Sequence, residues 1–303
     1  MCKATSVEVF LKMVFEKIDE KTKMNKNELF DLFWFRGESC EFKKTSLVPG
    51  AYRNIITINE DETPRFAIKN HSYFEYEMNS KADFDRKALP YIISKKIENT
   101  AWNRYFLMQH YKVKTRLLDW TEDALKALYM AINNNTKDVD GKDYDAKVWI
   151  LNPFNLNLYT MEKLTGKKPK DAVIPPLSND FDKPQDLLRK NKTIRYPELT
   201  RRYLTMDFYG KADESYYPLA IYPPFLDERM AAQKACFTIF GDKYNCAGLH
   251  AIHKHTVNII DYVTIDGASK EKMLKKLRLI GIDESSVFPD FDGLGKSIND
   301  SYK

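Results

Sequence analysis

The sequence predicts an α+β protein: a single domain with a mixed central β core flanked by helices. Three observations predict it. β-prone runs at 29–37, 147–151, 236–240 and 257–265 are interleaved with amphipathic segments at 5–18, 84–108, 121–133 and 268–280. The chain of 303 residues is 43% hydrophobic and 13% aromatic, enough to fill a core of domain size. No internal repeat or Gly/Ser-rich joint divides it, and its 11 glycines are scattered.

Residues 5–18 place Val7, Phe10, Leu11, Val14, Phe15 and Ile18 on one helical face, with Thr5 and Glu8 forming a capping box. Residues 1–27 are therefore read as a helical lead-in. The aromatics Phe30, Phe33, Trp34 and Phe35 make 29–37 a buried strand that ends in a turn at Arg36-Gly37. An arginine there either braces a sheet edge or meets a ligand. Residues 49–52 break the pattern and 57–64 read as a polar loop. The helical segment 84–108 is interrupted at Pro90, and its Trp102, Tyr105, Phe106 and Leu107 lead to Gln109.

Thr121 reads as the N-cap of a helix over 121–133, with Leu125, Leu128, Tyr129 and Ile132 spaced by three and four and Glu122 and Asp123 complementing the helix dipole. A polar loop (134–145) and a strand at 147–151 follow. Pro169, Pro175, Pro176, Pro184 and Pro197 mark 155–217 as an irregular insertion. Residues 227–232 form a short helix. Met273, Leu274, Leu277 and Ile280 give 268–280 an apolar face, and Gly281 stops it. The chain closes on an acidic aromatic turn at 287–294 and a polar tail over 298–303.

The run 109–121, QHYKVKTRLLDWT, crowds polar side chains around a leucine pair. Each such group needs a partner if buried, since leaving one unpaired costs about 1–3 kcal/mol. The run is either a satisfied polar network or a site, and it ends at a helix N-terminus, where backbone N–H groups suit an anion. His110 ahead of Asp119 suggests an acid/base pair.

Composition narrows the function classes. A net charge of +5 does not demand a broad nucleic-acid surface, and the basic clusters at 163–170, 189–192 and 270–278 read as solvated faces. Cys2, Cys40, Cys236 and Cys246 contain no CxxC pair, which speaks for a reducing compartment without structural zinc. No run approaches the roughly 18–20 apolar residues of a membrane span, so a cytoplasmic protein without membrane association is expected. The sequence lacks a GxSxG elbow, a Walker A loop, GxGxxG after a strand and HExxH. His250, His253 and His255 have no nearby carboxylate to complete a metal set, and Asp290 with Asp292 reads as an acidic turn; no metal is expected.

Phe35-Arg36-Gly37, Gln109-His110-Tyr111, the stretch from Thr115 to Thr121, Arg229 to Gln233 with Phe237-Thr238, and Phe288 to Leu294 together resemble the FRG domain, named for its Phe-Arg-Gly tripeptide. The resemblance runs over residues 28–297. Three positions depart from it: Lys112 for the usual Gly, Ala124 for Pro and Ala235 for Gly. The layout is also similar to that of ADP-ribosyltransferases, an analogy at the level of the fold. It implies an ADP-ribosyltransferase-like toxin or effector in bacterial anti-phage defence or a toxin–antitoxin system. NAD would be the substrate, with a nucleic acid or protein acceptor and an antitoxin or other regulatory partner. Arg36 and Gly37, with Gln109, Arg116, Trp120 and Thr121, would hold NAD. Gln233 stands where such enzymes carry Glu, so Glu228 or Asp119 would supply the carboxylate, and His110 joins the catalytic candidates. The other reading is a non-catalytic nucleotide or nucleic-acid binding module.

Overall fold

The computed structural model describes residues 2–24, 32–40, 47–53, 56–58, 64–66, 70–133, 137, 141–166, 174, 196–205, 217–241, 249 and 258–302. Its centre is a six-stranded sheet formed by β1 (Trp34–Glu38), β4 (Leu117–Thr121), β5 (Ala146–Leu151), β6 (Leu219–Ile221), β7 (Ala235–Ile239) and β8 (Ile260–Ile265), in the order β6-β7-β4-β1-β5-β8. The α+β class is as the sequence predicts. Every strand pair in this sheet is antiparallel, and a parallel bridge, Ala4 to Ile265, joins the N-terminal segment to β8. A separate hairpin pairs β2 (Ile56–Ile58) with β3 (Pro64–Phe66), where the sequence suggested a loop.

Helices pack on both faces. On one, α1 (Val7–Met24), α4 (Ala124–Ile132) and α8 (Lys270–Leu279) cover Phe33, Phe35, Val148, Ile150 and Val263. On the other, Trp34, Leu118, Trp120, Trp149 and Ile260 join Tyr52 and Leu156 in a second apolar cluster. A third, beyond β4, sets Phe106 of α3 (Ala101–His110) and Tyr203 of α6 (Tyr196–Thr205) against Leu117, Phe237 and Ile239. Strand periodicity explains the split, because alternate residues of β1 and β4 feed opposite faces.

The backbone of α4 comes close to β1 at Gly37. A Cβ on Gly37 would lie 2.1 Å from the Ala127 carbonyl oxygen and 2.7 Å from the Ala131 nitrogen. Only a residue without a side chain lets that helix backbone reach the strand.

Several sequence expectations are corrected. At the start of α1 it is Ser6, not Thr5, whose Oγ accepts a hydrogen bond from Val9 N at 3.3 Å. Pro90 does not interrupt its helix: α2 runs Asn70–Ser94 with Pro90 inside, and both Pro90 and Arg86, whose carbonyl it leaves free, are exposed to water. The break comes at 95–100, before Thr100 caps α3 by accepting from Asn103 N at 3.0 Å.

The 155–217 stretch contains helix α6 and most of α5 (Pro153–Thr165). Asn152 caps α5, Pro153 opens it and left-handed Gly166 closes it, signals present in the sequence but outweighed by the prolines that follow. Buried Asn157 of α5 bonds both backbone groups of Ala220, with its Oδ1 accepting at 2.7 Å and its Nδ2 donating at 3.0 Å, and so covers the free edge of β6. The tail is helical too: after α9 (Glu284–Val287), Asp290 caps α10 (Phe291–Ser301) by accepting from Gly293 N at 2.7 Å. The histidines 250, 253 and 255 lie outside the described residues. No helix among the described residues is long and apolar enough to cross a membrane.

Candidate functional site

The sheet has a seam. β1 pairs with β5 through five residues and β4 pairs with β7 through five, but β1 meets β4 only at Phe35 and Thr121. Beyond that rung the two strands part, and a cleft of about 480 Å³ opens between them. Its wall includes Arg36, Gln109, His110, Asp119, Thr121 and Gln233. Residues spread over two hundred positions of sequence thus share one concavity of a size usual for ligand sites.

Arg36 bridges the seam. Its Nη1 donates to the Asp119 carbonyl oxygen at 2.8 Å and lies 3.9 Å from the Asp119 carboxylate. Its Nε faces Glu38 Oε1 at 3.4 Å. Glu38 is fixed in turn by donors from Trp149 Nε1 at 2.9 Å and Leu47 N at 3.2 Å. The guanidinium is therefore aimed, not free to swing.

Asp119 is the lone carboxylate on the cleft wall among the described residues, and its side chain is 59% exposed. Gln109 Nε2 donates to its Oδ2 at 2.8 Å. Gln109 Oε1 accepts from Thr115 Oγ1 at 2.5 Å, and Thr115 Oγ1 accepts from Leu117 N at 3.1 Å. This chain runs from a strand amide to the carboxylate and fixes which way each group points.

His110 does not pair with Asp119, as the sequence suggested. Its Nε2 lies 2.9 Å from Asp227 Oδ2. Asp227 also caps α7 (Glu228–Ala232), accepting from Met230 N at 2.8 Å. Burial pushes the His110 pKa below its usual 6.5, with Asp227 opposing and Arg229 reinforcing the shift. On acidification the unfolded chain therefore takes up this proton first, so His110 lowers stability as pH falls below about 6.5. Unfolding curves in that range should show a smaller pH dependence for His110→Gln than for the parent; equal slopes would contradict the assignment.

Thr121 is a clasp and not an N-cap. It ends β4, donates to the Gln233 carbonyl at 2.6 Å and accepts from Asp123 N at 3.0 Å, while Asp123 caps α4. Gln233 caps the end of α7 and its Nε2 donates to Val287 O at 3.1 Å, leaving Oε1 without a protein partner among the described residues.

Three other candidates are corrected. Arg116 is wholly buried, with Nε 2.8 Å from Glu77 Oε2 and Nη1 donating to Phe240 O at 2.7 Å; it is an interior ion pair away from the cleft. Trp120 reaches the cleft wall, but its indole packs in the core and donates to Thr238 Oγ1 at 3.1 Å. Glu228 is exposed and is not on the cleft wall. Gly37 reaches the wall with its backbone, but its lack of a side chain serves α4.

The sequence reading did not single out Arg53, Lys112, Lys114 or Phe288 as site residues, yet all four line the cleft, as does Arg229. Arg229 stands 4.5 Å over the Phe288 ring, a cation–π contact that brings the C-terminal motif to the site. Lys112 carried one signal: it stands where the FRG domain usually has Gly. It occupies the left-handed region at φ +63, closing α3 with Lys112 N donating to Gln109 O and Val113 N to Met108 O. A side chain there costs about 1 kcal/mol relative to glycine.

Searches of curated proteins and of solved structures return no significant match. The sequence model of the FRG domain matches residues 31–140, the stretch carrying β1, α3, β4 and α4 and hence Arg36, Gln109, His110, Asp119 and Thr121. Arg229, Gln233 and Phe288 complete the same cleft from beyond the matched stretch. Over residues 31–140 the chain is similar to the FRG domain.

Proposed function

We propose that the cleft binds NAD and transfers its ADP-ribose to an acceptor, with Asp119 as the catalytic carboxylate. The observation that supports this most is the joint placement of the aimed Arg36 guanidinium and the exposed, orientation-fixed Asp119 carboxylate across one seam. Breaking an N-glycosidic bond builds positive charge on the ribose, and a fixed carboxylate stabilises it without reorganising. Arg36 takes the pyrophosphate, for which a planar cation with two parallel donors is suited. Gln233 Oε1 is available to a ribose hydroxyl. With Nε2 donating to Asp227, His110 keeps Nδ1 as a proton acceptor. It takes the proton of the attacking acceptor group as the bond to nicotinamide breaks and the bond to the acceptor forms.

Incubation with labelled NAD tests the reading. Asp119→Asn should reduce label transfer by about 10²–10³ while calorimetric NAD binding persists. Absence of both binding and transfer in the parent would sink the proposal. A second reading, a nucleotide-binding module without turnover, draws on the Gln109 donor already engaging Asp119 Oδ2. It predicts NAD binding with no transfer by the parent.

A further inference from the structure

A surface helix usually turns its apolar residues inward and its polar residues to water. Helix α10 does the reverse. Its polar side chains hold it to the body of the protein: Lys296 Nζ donates to Glu284 Oε1 at 2.7 Å, Ser297 Oγ donates to Asp283 Oδ2 at 2.6 Å, and Asp300 Oδ2 accepts from Arg278 Nη2 at 2.7 Å. Gly293, on the same side, is buried against the Phe288 carbonyl. Phe291, Leu294, Ile298 and Tyr302, spaced by three, four and four, form the opposite row and are 91%, 46%, 50% and 89% exposed. At the end of α8, which the Arg278–Asp300 bond ties to α10, Leu279 and Ile280 are exposed as well. Single exposed apolar residues need no explanation, but a contiguous row marks a surface that is covered in use.

Two features of the row favour a second copy of the chain as its cover. The first is order: aromatic, aliphatic, aliphatic, aromatic reads the same in both directions, so two such helices laid antiparallel about a twofold axis complement each other. Phe291 then meets the partner's Tyr302, and Leu294 meets the partner's Ile298. Asp292, on the flank, falls beside the partner's Asn299 and not beside another carboxylate. The second is area. Phe291 and Tyr302 on the two copies, at about 150–250 Å² each, would remove about 600–1,000 Å² from water. With Leu294 and Ile298 added, the contact approaches the roughly 1,200–2,000 Å² of a specific interface. A lipid surface fits less well, because Asp292, Asn299 and Ser301 flank the row where an interfacial helix carries lysine and arginine. We infer that α10 is the contact between two copies of this chain, paired antiparallel through Phe291, Leu294, Ile298 and Tyr302. The pairing does not depend on what the cleft binds.

The test is sedimentation velocity on the full chain across a concentration series. The parent should pass from the 35.5 kDa monomer to a dimer as concentration rises. Leu294→Glu and Ile298→Lys should each raise the dissociation constant at least about 30-fold, the effect of losing a central interface residue. Tyr302→Ser, at the 89% exposed end of the row, should also weaken the dimer, and its position leaves the fold untouched. Circular dichroism checks that all three variants are folded as the parent is. Equimolar mixing of Leu294→Glu with Ile298→Lys should restore dimer, because one Leu–Ile contact is then kept and the other becomes a Glu–Lys pair. A partner other than a second copy would give no such recovery. A parent that stays monomeric at every concentration, a dimer left intact by all three variants, or no recovery on mixing would overturn the inference. So would a monomeric parent that cosediments with anionic phospholipid vesicles, an outcome that would give the face to a lipid surface.

Discussion

Arg116→Met is expected to destabilise the fold by about 3–5 kcal/mol, the usual cost of removing one partner from a buried ion pair. The guanidinium and Glu77 are both essentially sealed from solvent, at 0% and 1% side-chain exposure. Glu77 Oε1 also accepts from the Tyr105 hydroxyl at 2.6 Å, and that hydroxyl accepts from Arg116 N at 3.0 Å. Burial and the neighbouring Glu77 raise the Tyr105 pKa, so the phenol stays a donor. Taking Arg116 away strands a carboxylate inside a network that ties α2 to α3, α6 and β7. Urea unfolding would measure the loss, and the double variant Arg116→Met with Glu77→Gln should recover much of it because no charge is then buried alone. A single variant as stable as the parent would return Arg116 to the list of ligand-binding candidates.

The second large effect is expected at Gly37. Gly37→Ala puts a methyl group 2.1 Å from a backbone oxygen of α4, and backbone cannot rotate aside as a flexible side chain would. Overpacking of this kind costs about 1–3 kcal/mol or more. It should also move β1 against β4 and so reduce any activity of the cleft. Gly295→Ala is the control: it lies in α10, a Cβ there meets nothing within 4 Å, and helix propensity favours alanine by about 0.5–1 kcal/mol. Thermal melts of the two variants should shift in opposite directions.

Much of the core was legible because its strands and helices carry clean periodicities. Val148, Trp149 and Ile150 announce β5, and Met273 and Leu277 announce α8. What stayed hidden depends on contacts remote in sequence. The bare run of polar residues at 109–121 divides into two networks only once the strands pair. Arg116 and Asp119 are three positions apart, yet one is sealed against Glu77 and the other opens to solvent. Nothing local distinguishes them. His110 likewise finds Asp227, more than a hundred residues later, and not the nearer Asp119. The prolines between 169 and 197 drew attention from the stop and start signals that frame α5. Lys112 is the opposite case: its departure from glycine was visible in the sequence, but only its φ of +63 gives the departure a cost.

The single rung between β1 and β4 makes this sheet two triplets of strands held side by side, β6-β7-β4 and β1-β5-β8. Beyond the rung, the Arg36 side chain spans the seam with a bond to the Asp119 carbonyl. A molecule lodged in the gap would touch both triplets and act as a missing rung. Occupancy would then be readable as cohesion: ligand at a hundred times its dissociation constant adds about 2.7 kcal/mol to the folded state. A thermal-shift screen would find such a molecule without knowing what reaction, if any, follows.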